Sequence, residues 1–224
     1  DFTMTKILFV TTNFSKINDD ILTGVYLEEF AVPYLTFDAT GYDITTASPK
    51  GGNSPIDEKS LSCSNPMEWD EAAKNLKDTK KLEDIDIKDF DVLFLPGGHG
   101  PMFDLAYDKI LARTVQYFYE NDKIISSLCH GVAGLISAKT SSGEPVVKGK
   151  TLTSFTDREE EIVKMTEFMP FLLEDKLIEL GANYIAGKPW SEHVEIDGNL
   201  ITGQNQNCAL LVAEETIKLI DSRL

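Results

Sequence analysis

The sequence has few cysteines, little positive charge and no long apolar run, and each shortage excludes a class of protein. Its three cysteines, Cys63, Cys129 and Cys208, are widely spaced and form neither a C-x-x-C pair nor a zinc-type cluster with histidine. This pattern argues against a disulfide framework or a structural metal and favours a reducing compartment, so we expect a cytoplasmic protein. No apolar run approaches the ~20 residues that would span a bilayer.

The balance of charge narrows the choice of partners. Acidic residues outnumber basic ones by 37 to 21, which gives a formal net charge of −16. Such a surface repels phosphates and anionic lipid, so we expect neither nucleic acid nor membrane as a partner. The length and apolar content suffice for one core. We predict a single domain over residues 4–224, because Asp1, Phe2 and Thr3 precede Met4 and are typical of a cloning remnant.

Apolar periodicity predicts strands that alternate with helices. Buried strands are predicted at 6–12, 42–48, 90–100 (where the run continues into a glycine-rich turn) and 123–128. Helices are predicted at 23–37, 108–123, 131–138, 168–182 and about 207–220. This alternation indicates an α/β fold with a mostly parallel sheet covered on both faces. Ligands in such folds bind beyond the carboxyl ends of the strands.

Three further features refine this prediction. Pro33 is expected to end or kink the first helix. An Asp-Gly-Asn turn predicts a hairpin over 193–204. The polar stretch 49–75 predicts a long loop or insertion that covers one edge of the domain, and loops of that length are often functional.

Cys129 follows a predicted strand directly, in Ser-Leu-Cys-His-Gly. A cysteine where a strand turns sharply into a helix is typical of a nucleophile elbow, in which His130 and the sulfur can diverge. The start of the following helix would lower the pKa of the thiol. The alternative interpretation is a buried, inert cysteine at a strand end.

A second strand ends in Pro-Gly-Gly-His-Gly. The backbone N–H groups of Gly98 and His99 could form an oxyanion hole, although an ordinary tight turn is the alternative. The His99 side chain could be catalytic, but we expect it to serve as a cap or to face solvent. Glu28 and Glu29 lie on the first predicted helix, and the pattern alone favours two solvated carboxylates.

Several blocks, taken together and in order, resemble the PfpI superfamily. They are FLPGGHGPMFD, SLCHGVAGL, SFTDREEEIV, PFLLEDKLIELGANY and DGNLITGQN. More narrowly, the chain resembles the heat-shock-chaperone branch that includes the glutathione-independent glyoxalase III enzymes. The resemblance implies a flavodoxin-like three-layer sandwich with a nucleophile elbow. One departure lies at TGQNQNCALL, where the family often has TGQNP followed by small residues, and it affects the predicted pocket shape.

The resemblance also implies site residues. The family's cysteine, the histidine after it and a later acid fall on Cys129, His130 and Glu160. A one-residue shift would instead select Glu159 or Glu161, and Asp157 is a further acid close by. The family's glutamate that touches the cysteine falls on Glu29, so the resemblance moves this residue from solvent into the site.

The implied activity is the conversion of methylglyoxal and related 2-oxoaldehydes to 2-hydroxy acids such as D-lactate. A Cys129 thiolate would add to the aldehyde, Gly98 and His99 would hold the oxyanion, and Glu29 or His130 would move the carbon-bound proton. Glu160 would orient His130. No metal, glutathione or redox cofactor is expected, and a homodimer is implied.

Other functions stay open. The wider superfamily hosts cysteine amidohydrolases and peptidases, and His193 and Glu195 form an H-x-E pattern that glutaminases use, although hairpin surface is the preferred interpretation. The branch also includes holdase chaperones, whose partners would be unfolded client proteins. A redox sensor based on oxidation of Cys129 is the third alternative.

Overall fold

The computed structural model describes residues 4–224, so the prediction for Asp1, Phe2 and Thr3 lies outside the described residues. The strands are β1 Lys6–Val10, β2 Lys16–Asn18, β3 Ile21–Leu22, β4 Asp43–Ser48, β5 Lys80–Lys81, β6 Val92–Leu95, β7 Ile124–Leu128, β8 Thr151–Leu152, β9 Asn183–Tyr184, β10 Val194–Asp197 and β11 Leu200–Gly203. The α-helices are α1 Leu27–Ala39, α2 Met67–Ala73, α3 Lys109–Glu120, α4 Asp157–Ile162, α5 Leu173–Glu179 and α6 Ala209–Asp221.

A seven-stranded sheet forms the centre, in the order β10-β11-β7-β6-β1-β4-β5. Every neighbouring pair is parallel except the β10–β11 hairpin. β1, β6 and β7 are almost wholly buried, as their apolar runs predict. Because β6 and β7 are neighbours, the two glycine-containing segments that follow them lie side by side.

Two apolar cores cover the two faces of this sheet. One contains Phe30 and Phe37 of α1 together with Val212 of α6. The other contains Val115 of α3 and Leu177 of α5. This arrangement confirms the predicted three-layer α/β fold. Within residues 4–224, none of the helices combines the length and the apolar character needed to cross a bilayer.

The expectation that Pro33 ends or kinks the first helix is wrong as regards its end, because α1 continues six residues further, to Ala39. Proline removes one backbone donor from a helix. Here Pro33 is buried, and Phe30 and Phe37 on either side of it pack into the core. Burial of the helix face therefore outweighs the missing hydrogen bond.

Two predicted helices differ from the observed ones. The segment after β7 forms 3₁₀ turns over Cys129–Leu135 instead of an α-helix. Gly131 and Gly134 weaken helix propensity there. The helix predicted at 168–182 begins only at Leu173. Met169 is extended (ψ 141°) because Pro170 follows it, and a residue before proline avoids the helical region.

The segment 49–75 is more ordered than the predicted loop. It contains a 3₁₀ turn, Glu58–Ser60, and the helix α2. Ala72 and Ala73 of α2 pack into the same core as α1. Val25 and Ile56 form a bridge that holds the segment beside the start of α1. The hairpin around Gly198 is confirmed as an antiparallel pair.

Candidate active site

Cys129 lies directly after β7, at the first position of the 3₁₀ segment. Its φ of 55° is left-handed, which costs a residue other than glycine on the order of 1–3 kcal/mol. Gly131 permits the turn, because a Cβ there would lie 2.2 Å from the carbonyl oxygen of Leu95. The predicted sharp turn at Cys129 is therefore present, and the His130 side chain lies beside the sulfur.

His130 lies between the Cys129 sulfur and a carboxylate. Its Nδ1 is 3.5 Å from Sγ of Cys129, and its Nε2 is 2.6 Å from Oε2 of Glu160. Glu160 lies in α4, whose start is fixed by a capping box between Thr156 and Glu159. A carboxylate at Nε2 holds the ring proton there, so the Nδ1 lone pair faces the thiol.

His99 is the second imidazole at Glu160. Its Nε2 lies 2.6 Å from Oε1 of Glu160, and its ring centroid is 4.2 Å from that of His130. The expectation of a capping or solvent-facing side chain is therefore wrong, since the His99 side chain is only 13% exposed. The sequence carried a usable signal, because His99 and Cys129 follow neighbouring parallel strands.

The two imidazoles and the carboxyl group between them shift each other's protonation. Burial alone would raise the pKa of Glu160, but the positive charge that His130 carries when it is protonated, together with hydrogen bonds from both rings, holds that pKa well below its usual range. Burial, and the same positive charge on a protonated His130, lower the pKa of His99. The Glu160 side chain is therefore an ionised acceptor for two ring N–H groups.

Glu29 approaches Cys129 from α1 and is fully buried. Its Oε1 accepts a 2.8 Å hydrogen bond from the Gly97 amide, while Oε2 has no hydrogen-bond partner among the described residues. Burial raises the pKa of Glu29 to about 8, against smaller lowering effects from Gly97 and the nearby Cys129 thiol. At neutral pH the Glu29 carboxyl group is mostly protonated.

The sequence predicts a lowered pKa for the Cys129 thiol, and this prediction is wrong for the resting site. Burial, followed by the negative charge of Glu29, raises the pKa of the thiol well above its usual value. A hydrogen bond from the His130 amide acts in the opposite direction but does not compensate. The thiol is therefore neutral until a base removes its proton.

The turn after β6 presents backbone donors to the same space. Neither Gly98 nor His99 donates its backbone N–H to an acceptor among the described residues. Gly98 has a φ of 101°, and a Cβ there would lie 2.0 Å from the carbonyl oxygen of Gly24. Only glycine fits this position, and Gly98 and His99 both line the cavity beside Cys129.

These groups surround a cavity of about 210 Å³. The site residues predicted from the sequence that line it are Glu29, Gly98, His99, Cys129 and His130, with Glu160 directly behind the two imidazoles. The lining residues that the sequence analysis missed are Tyr26, Asp57, Lys59, Phe155, Val163, Trp190 and Gln206. Two of these, Asp57 and Lys59, come from the segment 49–75, whose length had indicated a functional role.

One group of side chains has the donor set of a metal site. Ligand atoms of His99, His130 and Glu160 lie within 4.8 Å of one another. Two imidazole nitrogens and a carboxylate suit Zn²⁺. The 2.6 Å contacts among them are hydrogen bonds, and a metal would have to displace the protons that form them.

The H-x-E pattern on the hairpin forms a separate pair. Nε2 of His193 lies 3.2 Å from Oε1 of Glu195, and neither residue lines the cavity around Cys129. A larger cavity of about 390 Å³ lies at the opposite end of the strands, beside Lys123 and the hairpin turn at Gly198. Among the described residues that line this larger cavity there is no cysteine or histidine.

Comparisons with known proteins agree on one family. The DJ-1/PfpI family profile matches residues 21–219. "Glyoxalase 3" of Candida albicans is 34% identical over 96% of this chain and 98% of that protein. "Glutathione-independent glyoxalase HSP31" of Saccharomyces cerevisiae is 30% identical over 95% of this chain and 96% of that protein. The crystal structure of glyoxalase III from Candida albicans superposes with a TM-score of 0.89 at 31% identity, covering 96% of this chain and 97% of that one. This chain therefore belongs to the DJ-1/PfpI family.

Proposed function

We propose that this protein is a glutathione-independent glyoxalase that converts methylglyoxal and related 2-oxoaldehydes to 2-hydroxy acids such as D-lactate. The observation that carries the proposal is the position of two different bases around one thiol. His130 contacts the Cys129 sulfur from one side, and Glu29 approaches it from α1. The names of the Candida and Saccharomyces relatives give the same activity.

In the first step, the sulfur of Cys129 adds to the aldehyde carbon as Nδ1 of His130 takes the thiol proton. Because the pKa of the resting thiol is raised, this transfer must accompany attack. The new imidazolium is stabilised by the ionised Glu160, and the hemithioacetal oxyanion accepts the N–H groups of Gly98 and His99.

In the second step, the carbon-bound hydrogen moves from the former aldehyde carbon to the adjacent carbon. Glu29 in its carboxylate form removes this hydrogen as a proton, and the neighbouring carbonyl oxygen is protonated to give an enediol. Return of a proton to the second carbon and loss of the hydroxyl proton at the first leave a thioester on Cys129. No electron leaves the substrate, so no redox cofactor is used.

In the last step, water attacks the thioester carbon, the C–S bond breaks and the sulfur recovers a proton. Addition of one water to the 2-oxoaldehyde thus gives the 2-hydroxy acid, with the atoms balanced. His130, whose Nδ1 lies 3.5 Å from the sulfur, takes a proton from the attacking water and returns it to sulfur.

The direct test is turnover of methylglyoxal in the absence of glutathione, followed by substrate loss and D-lactate formation. Cys129→Ala should abolish turnover while the protein keeps its melting temperature. Cys63→Ala is the matched control, because Cys63 is an exposed free cysteine, and it should behave as wild type. Wild-type turnover by Cys129→Ala would overturn the proposal, and ammonia release from glutamine would favour amidohydrolase chemistry instead.

We also propose a cytoplasmic homodimer. Three free cysteines, with no disulfide among the described residues, support a reducing compartment. The dimer follows from the family resemblance. Sedimentation velocity at micromolar concentration tests it, and a monomer would contradict it.

A further inference from the structure

Trp190 forms part of the cavity wall and has an unusual backbone. It lies between β9 and β10 with a φ of 67°, a left-handed conformation that is unfavourable for a bulky side chain. Its ring centroid is 5.8 Å from that of Phe155, and the Phe155 centroid is 4.4 Å from that of His130. Since the segment's own backbone does not favour this conformation, other contacts must hold it.

Asn207 donates to the Trp190 carbonyl at 2.8 Å, and Glu159 holds the N–H side of the same residue. Oε2 of Glu159 accepts the backbone N–H of Trp190 at 3.0 Å and the side-chain amide of Asn205 at 2.9 Å. Its Oε1 accepts the side-chain amide of Gln204 at 3.0 Å and the amide and hydroxyl of Thr156 at 3.0 and 2.9 Å. The carboxyl group is fully buried and forms no ion pair with a cation among the described residues. Neutral donors alone satisfy it.

Gln204 and Asn205, which both donate to Glu159, also form hydrogen bonds with the segment on both sides of Trp190. Gln204 accepts the Gly187 amide at 2.8 Å and donates to the Lys188 carbonyl at 3.1 Å. Asn205 donates to the Ser191 carbonyl at 2.9 Å. Gln204 and Asn205 follow β11 directly, so the segment that carries Trp190 is tied to the rigid sheet.

Adjacent residues of α4 therefore face two different parts of the site. Glu160 contacts the imidazoles, whereas Glu159 contacts the chain that carries the aromatic wall. We propose that Glu159 is a positioning residue that fixes Trp190, and that Trp190 sets the preference for 2-oxoaldehydes whose side group is large and apolar. The proposal rests on the proposed glyoxalase function and deepens it by naming the substrate class.

The chemistry of the wall supports this assignment. Trp190, Phe155 and Val163 line one part of the cavity with apolar surface. An aromatic side group that packs against such rings is stabilised beyond the effect of its buried area alone. Glyoxal has no side group, whereas phenylglyoxal has a large one. Both substrates undergo the same reaction at the thiol, but only phenylglyoxal can contact the apolar wall, so a difference between them reports on that contact.

The experiment compares Trp190→Ala, Glu159→Gln and the control Glu161→Gln on glyoxal and phenylglyoxal. Glu161 is the matched control because it is exposed and pairs with Arg158. We expect Trp190→Ala and Glu159→Gln to lower kcat/KM for phenylglyoxal about tenfold, mainly through KM, because 1.4 kcal/mol of lost contact corresponds to tenfold. Turnover of glyoxal should change by less than about threefold, which corresponds to less than 1 kcal/mol. Equal losses on both substrates would overturn the proposal.

A second measurement does not depend on turnover. With Trp69→Phe as background, Trp190 is the single tryptophan, since the sequence has two. Glu159→Gln should red-shift its fluorescence and increase its quenching by acrylamide, whereas Glu161→Gln should change neither. If Glu159→Gln does not fold, Glu159→Asp, which keeps the charge but shortens its reach, should show the same shifts to a smaller degree.

The two measurements separate the two proposals. Unchanged fluorescence in the folded Glu159 variants would overturn the positioning role whatever the enzyme does. Shifted fluorescence in a protein that has no turnover of any 2-oxoaldehyde would keep the positioning role and remove the proposed function. The Glu159 charge also contributes to the raised pKa of the Cys129 thiol, and Trp190→Ala, which leaves this charge in place, isolates the effect of the wall.

Discussion

Two buried glutamates lie on either side of the Cys129–His130 pair, and their environments have opposite effects. Glu160 receives ring N–H groups from two histidines, and its pKa is held below the usual range. Glu29 receives one backbone amide, keeps one oxygen without a partner among the described residues, and its pKa is raised to about 8. Burial opposes ionisation at both, so the number and charge of the donors decide the protonation state.

This difference assigns different roles to two chemically identical side chains. A carboxylate that is ionised at every relevant pH can orient an imidazole and stabilise its charged form, but it is a poor proton acceptor. A carboxyl group with a pKa near neutrality can take up and return a proton during turnover. The site therefore has two sides. Glu160 forms the permanently charged side, and Glu29 forms the titrating side, whose carboxyl group gains and loses a proton near neutral pH.

The largest expected effect is on turnover when the titrating side is removed. Glu29→Gln keeps the shape of the side chain but cannot accept a proton, so we expect methylglyoxal turnover to fall by about 10²–10⁴-fold. Steady-state kinetics measure this loss. Glu28→Gln, one residue away and half-buried, is the control and should stay close to wild type. Turnover of Glu29→Gln near the wild-type level would remove the base from the mechanism.

The next effect is on stability, because the raised pKa of Glu29 links protonation to folding. The folded form binds the proton up to about pH 8, whereas the unfolded chain releases it near the ordinary value of 4.5. The contribution of the Glu29 carboxyl group to the free energy of unfolding is thus fully present below pH 4.5 and is lost as the pH rises to about 8. Between pH 5 and 8, wild type should lose roughly 2–4 kcal/mol relative to Glu29→Gln, as 1.36 kcal/mol corresponds to one pKa unit. Urea unfolding at both pH values tests this, and parallel pH profiles of the two proteins would be the contradictory result.

Removing the permanently charged side should have a smaller effect on turnover. In Glu160→Gln, the side-chain NH₂ group is a hydrogen-bond donor and cannot accept the N–H of the imidazole that it faces. Where that imidazole is His130, the tautomer with its proton on Nδ1 is favoured, and Nδ1 can then no longer accept the thiol proton. We expect a loss of about 10²-fold, within the range of a misplaced acid–base catalyst. Glu161→Gln is the control for charge on α4. A pH profile of Glu160→Gln that is shifted relative to wild type would agree with the account, and an unchanged rate and profile would not.

The smallest effect concerns wild type alone. Because Glu29 must be ionised to act as base, kcat/KM for methylglyoxal should rise about tenfold between pH 7 and 9 and level off above the pKa. The residual activity of Glu29→Gln should lack this rise. A wild-type profile that is flat or falls over the same range would exclude Glu29 as the titrating base.

The fold and the sharp turn at Cys129 could be predicted because their patterns are local. Apolar runs mark β1, β6 and β7, and the small residues around Cys129 indicate a sharp turn. The choice of Glu160 needed the family resemblance, since three consecutive glutamates follow Arg158 and a pattern cannot rank them. The Thr156 cap fixes the rotation of α4, and only this rotation separates Glu159 from Glu160.

What could not be predicted depends on burial and on contacts between distant segments. The helix-start argument for a lowered pKa of Cys129 did not include the burial of the sulfur or the approach of Glu29 from 100 residues away in sequence. The hydrogen bond between His99 and Glu160 links residues that lie 61 apart in sequence, and the two strand ends indicated only that His99 lies near Cys129. The backbone N–H of Trp190 donates to Glu159, which lies 31 residues away in sequence, and no local pattern reveals this contact.

The different roles of Glu29 and Glu160 depend on the protonation state of Glu29, which can be measured in the folded protein. Infrared difference spectra between wild type and Glu29→Gln, recorded from pH 5 to 10, report the carbonyl stretch of a protonated carboxylic acid. The account predicts a band that is present at pH 6, disappears with a midpoint near 8 and is missing from the variant. A Glu29 that shows only carboxylate absorption across this whole range would contradict it.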